Sequence, residues 1–220
     1  MIPPEGNADF VAAMEKVLDV YRRPYDASRP VVCMDETPRQ LIRETKMPMP
    51  ALPGRPERHD YEYERCGVCN VFMACEPLAG KRMTKVTERK TRSDWARFLQ
   101  DIAGRYAGAE KITLVMDNLS THTPGALYGA FAPAEAKALW ERFEFVYTPK
   151  HGSWLNMAEI ELNVMIRQCL SRRVSTVQEL AGSVLAWQSH RDQLRAKVNW
   201  QFTTEDARIK LKRLYPTLLE

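Results

Sequence analysis

The chain has 220 residues, of which 45% are hydrophobic and 27% charged, with a formal net charge of +4. Such a length and composition fit one folded domain with a sizeable core and exclude a disordered tract. No apolar run nears the roughly 20 residues that a membrane span needs. The start, MIPPEGNADF, lacks the basic-then-apolar order of a signal peptide, and the five cysteines suggest no disulfide framework, so a cytoplasmic protein is expected.

In chain order, VAAMEKVLDVYRR (11–23) has apolar positions at helical spacing and predicts a short helix. A polar linker covers 25–30. RPVVCMDET (29–37) predicts a buried strand that ends in an acid. The segment 43–60, with Pro48, Pro50, Pro53, Gly54 and Pro56, predicts a loop. Two strands, 63–77 and 81–89, split by Leu78-Ala79-Gly80, predict a hairpin. Ser93 is the expected cap of a helix over 94–106. KITLVMDN (111–118) predicts a central strand, again ending in an acid. A helix after Pro133 and a strand over 143–149 follow. The turn KHGS precedes a long helix over 154–170, Thr176 opens another to about His190, and the tail from Thr203 is expected to be helical and basic. One hairpin followed by alternating strands and helices argues for an α/β sheet covered by helices.

Asp35 and Asp117 stand at the carboxyl ends of apolar strands, where sites form in open α/β sheets. Taken alone, each also reads as a loop or helix-capping acid. On the helix 154–170, Leu155, Leu162, Ile166 and Cys169 share one arc, the expected core face. Glu159 falls at its edge beside Asn156, Asn163 and Arg167, and Glu161 points elsewhere, beside Met157, Val164 and Gln168. Three acids from three elements, with no thiolate or imidazole among them, would select a hard cation such as Mg²⁺ or Mn²⁺. Two such ions catalyse in-line phosphoryl transfer.

The blocks VVCMDET (31–37), TLVMDNLSTH (113–122) and TPKHGSWLNMAEIEL (148–162) resemble the three acidic motifs of bacterial insertion-sequence transposases in the mariner-like superfamily. The third is the most specific, because the family shows Pro-x-x-Ser-x-Trp/Asp-Leu-Asn-Pro-x-Glu there; Met157 departs from the proline. The resemblance covers roughly 29–170. It implies a DDE-type enzyme with an RNase H-like fold, a mixed five-stranded sheet with helices on both faces. Asp35, Asp117 and Glu159 are then the catalytic residues and the ligands of two Mg²⁺ or Mn²⁺ ions. The substrate is double-stranded DNA, both transposon ends and target. The spacing between the second and third acids is longer than in the eukaryotic branch, and the stretch 129–142 reads as the extra helix that fills it.

Family members also carry an N-terminal helix-turn-helix region, and about 30 residues before the first motif strand are too few for it. The expected organisation is an N-terminal helix and linker (1–28), the catalytic domain (29–200) and a basic helical tail (201–220). A separate helix-turn-helix frame and a second copy of the chain are the candidate partners. Without a reading head, phosphate contacts are expected to dominate DNA binding. Candidates are Lys85, Arg89 and Lys90 in the basic stretch 81–92, His122 after the second acid, and Lys150, His151 and Asn156 at the start of the third motif's helix. The alternatives are an RNase H-like nuclease, or a remnant that only binds DNA. Cys66-Gly-Val-Cys69 has zinc-knuckle spacing without a second pair, and core cysteines are the better reading. Trp154 and Trp200 could stack on bases, with burial in the core preferred.

Overall fold

The structure is a computed structural model that describes residues 7–216. The outer ends of the expected N-terminal region and tail, 1–6 and 217–220, lie outside the described residues. The elements in chain order are α1 (Ala8–Tyr21), β1 (Val31–Glu44), β2 (Tyr63–Glu76), β3 (Lys81–Thr87), α2 (Arg92–Arg105), β4 (Ile112–Met116), α3 (Pro124–Ala130), α4 (Pro133–Glu141), β5 (Phe143–Tyr147), α5 (Met157–Cys169), α6 (Val177–Gln193) and α7 (Thr204–Lys210). The five strands form one sheet in the order β3-β2-β1-β4-β5. The pairs β1–β2 and β2–β3 are antiparallel, and β1–β4 and β4–β5 are parallel. This is the mixed five-stranded α/β sheet that the sequence predicts.

Alternation along the strands divides the core between the two faces. Val32 and Met34 of β1, Phe72 of β2 and Leu114 and Met116 of β4 point to one face, where α2, α3 and α4 cover them with Trp95, Phe98, Leu127 and Leu139. Cys33, Cys75, Val115 and Val146 point to the other, against α1, the start of α5 and α7. Further along that face, Val71 and Met73 meet Leu162 and Met165 of α5 and Leu180, Val184 and Trp187 of α6. The edge strand β3 does not lie open: Gln188 of α6 accepts from the backbone N–H of Thr84 at 2.8 Å and from its hydroxyl at 2.7 Å. The tail closes on the first helix through Arg208–Glu15, Arg22–Glu205 and Thr204–Asp19.

Several local expectations change. β1 does not stop near Thr37 but runs to Glu44, through Pro38, which faces Asn70. Beyond Cys33 it has lost β4 and pairs with β2 alone, so it is an edge strand there and tolerates proline. Between 45 and 62 only the bridges Met49–Arg58 and Leu52–Arg55 remain, as the prolines predict. Thr91, not Ser93, caps α2, in a reciprocal capping box with Asp94. The helix expected after Pro133 is present as α4, and an unexpected helix, α3, precedes it; Pro124 opens α3 at a position where a missing N–H costs nothing.

The helix expected over 154–170 is broken. A 3-10 turn, Ser153–Leu155, precedes an extended Asn156, and α5 starts at Met157. Its buried residues are Met157, Ala158, Glu161, Leu162 and Met165, whereas Ile166 and Cys169 are only partly covered. The buried arc is shifted from the expected one because α5 packs against both the sheet and α6, which lies beside it on the same face, and charged side chains rather than apolar ones fill part of it. No helix among the described residues is long and apolar enough to cross a membrane.

Candidate active site

The site lies where β1 outruns β4. Cys33 stands opposite Val115 in the parallel register; Asp35 follows two residues later on β1 with the parity of Cys33, and Asp117 follows directly after the last residue of β4. Asp35 therefore rises from the face that α5 covers, and Asp117 and Glu159 lie near enough for their charges to act on it. The entry of α5 is fastened there by Asn156: its side-chain N–H donates to the Met34 carbonyl at 2.8 Å, and its Oδ1 accepts from the Ala158 N–H at 3.1 Å. One buried side chain thus caps the helix that carries Glu159 and ties it to the strand residue next to Asp35.

The acids of the cluster act on one another's charge. Burial pushes the Asp35 carboxyl up to about 7, and repulsion from Glu36, Asp117 and Glu159 adds to the shift; the Glu36 N–H that donates to Asp35 at 2.8 Å opposes it. Buried oxygens of Asp117 (Oδ1), Glu159 (Oε2) and Glu36 (Oε2) have no hydrogen-bond partner. Orphaned acceptors of this kind are costly unless a cation meets them. Among the described residues, no three His, Cys, Asp or Glu side chains are already gathered round one point as metal ligands. The donor set is nevertheless all carboxylate, which suits Mg²⁺ or Mn²⁺, and the buried Oε2 of Glu159, which has no partner, fits such an ion.

Glu36 and His122 extend the cluster through the sheet. Glu36 has the parity of Met34, so it faces α2 rather than α5, and its side chain is 1% exposed. Lys90 Nζ is 3.0 Å from its Oε1 and His122 Nε2 is 3.5 Å from its Oε2. On its other edge, His122 places Nδ1 2.8 Å from Asp117 Oδ1 and 3.3 Å from the Asp117 carbonyl. The alignment favours the carbonyl as hydrogen-bond acceptor, and the carboxylates on both sides lie close enough to the ring to hold its protons. Burial pulls the imidazole down, but Asp117 and Glu36 outweigh it and raise the ring to about 9. Burial likewise raises Glu36, and His122 and Lys90 outweigh it, leaving the carboxyl below its usual range. The sequence reading missed Glu36. The signal was present in the pair Asp35-Glu36, because adjacent strand residues face opposite sides and two neighbouring acids on one strand serve two layers.

The candidate DNA contacts separate. His122 and Asn156 are each 1% exposed, so neither can touch a phosphate; both are built into the site as internal supports, and this corrects their assignment as DNA contacts. Lys85 pairs with Asp101 and Lys90 with Glu36; Arg89 and Lys90 are both exposed, and Arg89 is the one of the three not engaged in either of those pairs. Lys150 and His151 are exposed in the turn before α5. That turn is tight: a Cβ on Gly152 would meet the Pro149 ring at 2.6 Å, and His151 takes φ 66°. Trp154 and Trp200 are partly buried, Trp154 against Phe202 and Trp200 against Tyr21, and the Trp200 indole donates to the Phe202 carbonyl. Cys69 is buried with Val71, and Cys66 is half-covered at its margin.

Glu161 carries a different charge system. It is 1% exposed and accepts from Arg82 Nε at 2.6 Å and Arg191 at 2.9 Å. Arg82 is itself 2% exposed, and it also donates to the Gly80 and Ala196 carbonyls. This network joins β3, α5 and α6.

Residues 30–181 match the model of a family described as DDE superfamily endonuclease. No curated protein sequence matches the chain. Among solved structures, the fold is similar to the Mos1 Strand Transfer Complex, with a TM-score of 0.60 and 14% identity over 89% of this chain and 59% of that one. It is also similar to the Mos1 transposase paired-end complex with left transposon end, at 0.58 and 14% over 89% and 60%. A third is the mariner Mos1 paired end complex with Mg, at 0.57 and 12% over 99% and 66%. In each the chain spans less than two thirds of the matched protein. At these identities the likeness is one of fold, and it is to RNase H-like catalytic domains.

Proposed function

The chain belongs to the DDE superfamily endonuclease family, and from that premise we propose that it is the catalytic domain of a DNA transposase, with Asp35, Asp117 and Glu159 as ligands of two divalent metal ions. The observation that carries this reading is the carboxylate cluster. Asp117 and Glu159 lie near enough to Asp35 for their charges to raise its carboxyl, the Asn156–Met34 bond ties the helix that bears Glu159 to the strand that bears Asp35, and Oε2 of Glu159 is buried without a partner.

Asp35, Asp117 and Glu159 would hold Mg²⁺ or Mn²⁺. When bound, two such ions supply activation of a water or 3′ hydroxyl and stabilisation of the leaving oxygen in an in-line displacement at phosphorus. The protein's own work is to hold the three carboxylates in place. The Glu36 N–H holds Asp35, and Asn156 orients α5 and with it Glu159. Exposed Lys150, His151 and Arg89 suit phosphates of a duplex laid across the site. The Mos1 structures of similar fold are complexes with transposon ends or transferred strands, which supports double-stranded DNA as the partner proposed here.

The test is a strand-transfer assay on supercoiled target DNA with Mg²⁺ or Mn²⁺ and pre-cut end duplexes, with Asp117→Asn as control. Nicking together with joining, both lost in the variant, is the expected result. Nicking without joining would make the chain a nuclease, and binding with neither step would make it a DNA-binding remnant.

A further inference from the structure

We propose that His122, backed by Glu36, is a positioning residue that fixes the carboxyl group of Asp117 for metal binding; the inference rests on the reading of Asp117 as a metal ligand. Of the three acids, only Asp117 stands on irregular chain. Asp35 lies within β1 and Glu159 within α5, where ladder and helix hydrogen bonds set the backbone, but β4 ends at Met116 and no helix begins until Pro124. An aspartate on such a loop has free rotation about two side-chain bonds unless something restrains it.

His122 supplies the restraint. Its backbone N–H donates to the Leu119 carbonyl at 2.9 Å, which folds the loop back so that the ring reaches Asp117. The ring stacks on Trp95 of α2, with centroids 5.3 Å apart and planes 22° apart. One edge meets Glu36 at 3.5 Å and the other meets Asp117 Oδ1 at 2.8 Å. Glu36 is held in turn by Lys90. The chain Lys90–Glu36–His122–Asp117 thus runs from the surface through the sheet to the site. Asp117 Oδ1 is buried while its side chain is 30% exposed, so the exposure falls on the rest of the carboxyl side chain, where Oδ2 lies. One oxygen is engaged by the histidine and the other is left for the ion. Supports of this kind, one layer behind the ligands, set metal affinity through geometry.

The two ring nitrogens can be removed separately. His122→Asn keeps a donor near the place of Nδ1, toward Asp117. His122→Gln keeps one near Nε2, toward Glu36, and His122→Ala keeps neither. Mn²⁺ binding to the DNA-free protein, followed by electron paramagnetic resonance, is the readout. The Asn variant is expected to stay within about threefold of the wild-type midpoint, and the Gln and Ala variants to need about tenfold more Mn²⁺ or beyond. A purely structural histidine would give midpoints that follow melting temperature rather than the position of the donor, and equal midpoints for Asn and Ala would overturn the inference. If the Gln and Ala variants do not fold, Glu36→Gln serves in their place: a raised midpoint supports the inference and an unchanged one overturns it. Asp117→Asn separates the two readings. If it binds Mn²⁺ like wild type, the metal-ligand reading falls, and this one with it. If it loses Mn²⁺ while His122→Ala does not, only the role of His122 falls.

Discussion

Glu159 and Glu161 are two residues apart on α5 and lie in opposite electrostatic settings. Glu161 is sealed between Arg82 and Arg191 at 2.6 and 2.9 Å, whereas Oε2 of Glu159 is buried beside other acids without a partner. The first holds the helix to β3 and α6; the second faces the site.

Glutamine at these two positions is therefore expected to act in opposite ways. Glu161→Gln leaves two arginines without their carboxylate, one of them fully buried, and should cost on the order of 3 kcal/mol in urea unfolding. Glu159→Gln removes a like charge from the cluster, so stability should hold or rise while metal-dependent DNA nicking is lost. A stable Glu161→Gln protein, or a Glu159→Gln protein that still nicks DNA, would reverse the assignment.

Metal should stabilise the wild-type fold. An ion that binds only the native state raises stability by about 2.7 kcal/mol at a hundred times its dissociation constant. A thermal scan with Mg²⁺ or Mn²⁺ should show this as a higher Tm, and Asp117→Asn should lose most of the shift with its metal-free Tm little changed. An equal shift in both proteins would mean that the ion binds elsewhere.

The metal-free protein should lose stability as pH rises. Asp35, raised to about 7, and His122, raised to about 9, both hold protons more tightly folded than unfolded. Their contributions are complete below the unfolded values, near 4 for the aspartate and 6.5 for the histidine. They fade as pH climbs through the folded ones, Asp35 first and His122 after it. With chelator present, unfolding free energy should fall by a few kcal/mol between about pH 4 and 9. Asp35→Asn should flatten the lower part of that slope and His122→Asn the upper part. A slope that rises with pH in this window would contradict the arrangement of charges.

DNA affinity should depend on Arg89 more cleanly than on its neighbours. Arg89 is exposed, whereas Lys85 and Lys90 already hold Asp101 and Glu36. Arg89→Glu should weaken binding to every duplex sequence alike and flatten the salt dependence by about one counterion. Lys90→Glu would set a carboxylate against buried Glu36 and should also lower Tm. Titrations of end-sequence and scrambled duplexes at two salt concentrations check the first point and a melting scan the second. A loss restricted to one sequence would mean that Arg89 reads bases.

Much of the architecture was legible in the chain. Apolar runs such as ITLVM and VVCM, short and rich in β-branched residues, favour buried strands, the prolines of 48–56 keep that stretch irregular, and Thr176 and Thr203 cap the helices they precede. Asp35, Asp117 and the third motif could be picked out because motif and strand period are local properties of sequence, but Asp35 lies within β1 and does not end it. What the sequence left open depends on distant neighbours. The length of β1 past Pro38 depends on which strand it keeps as partner. The buried face of α5 depends on α6 and on Arg82, 79 residues away in the chain from Glu161, and a lone helical period cannot reveal a charge that another element neutralises. His122 and Asn156 looked like surface contacts because polar residues beside a motif usually are. Only the tertiary structure turns them inward, where burial makes each polar atom require a partner, and those partners are Asp117, Glu36 and the carbonyl of Met34.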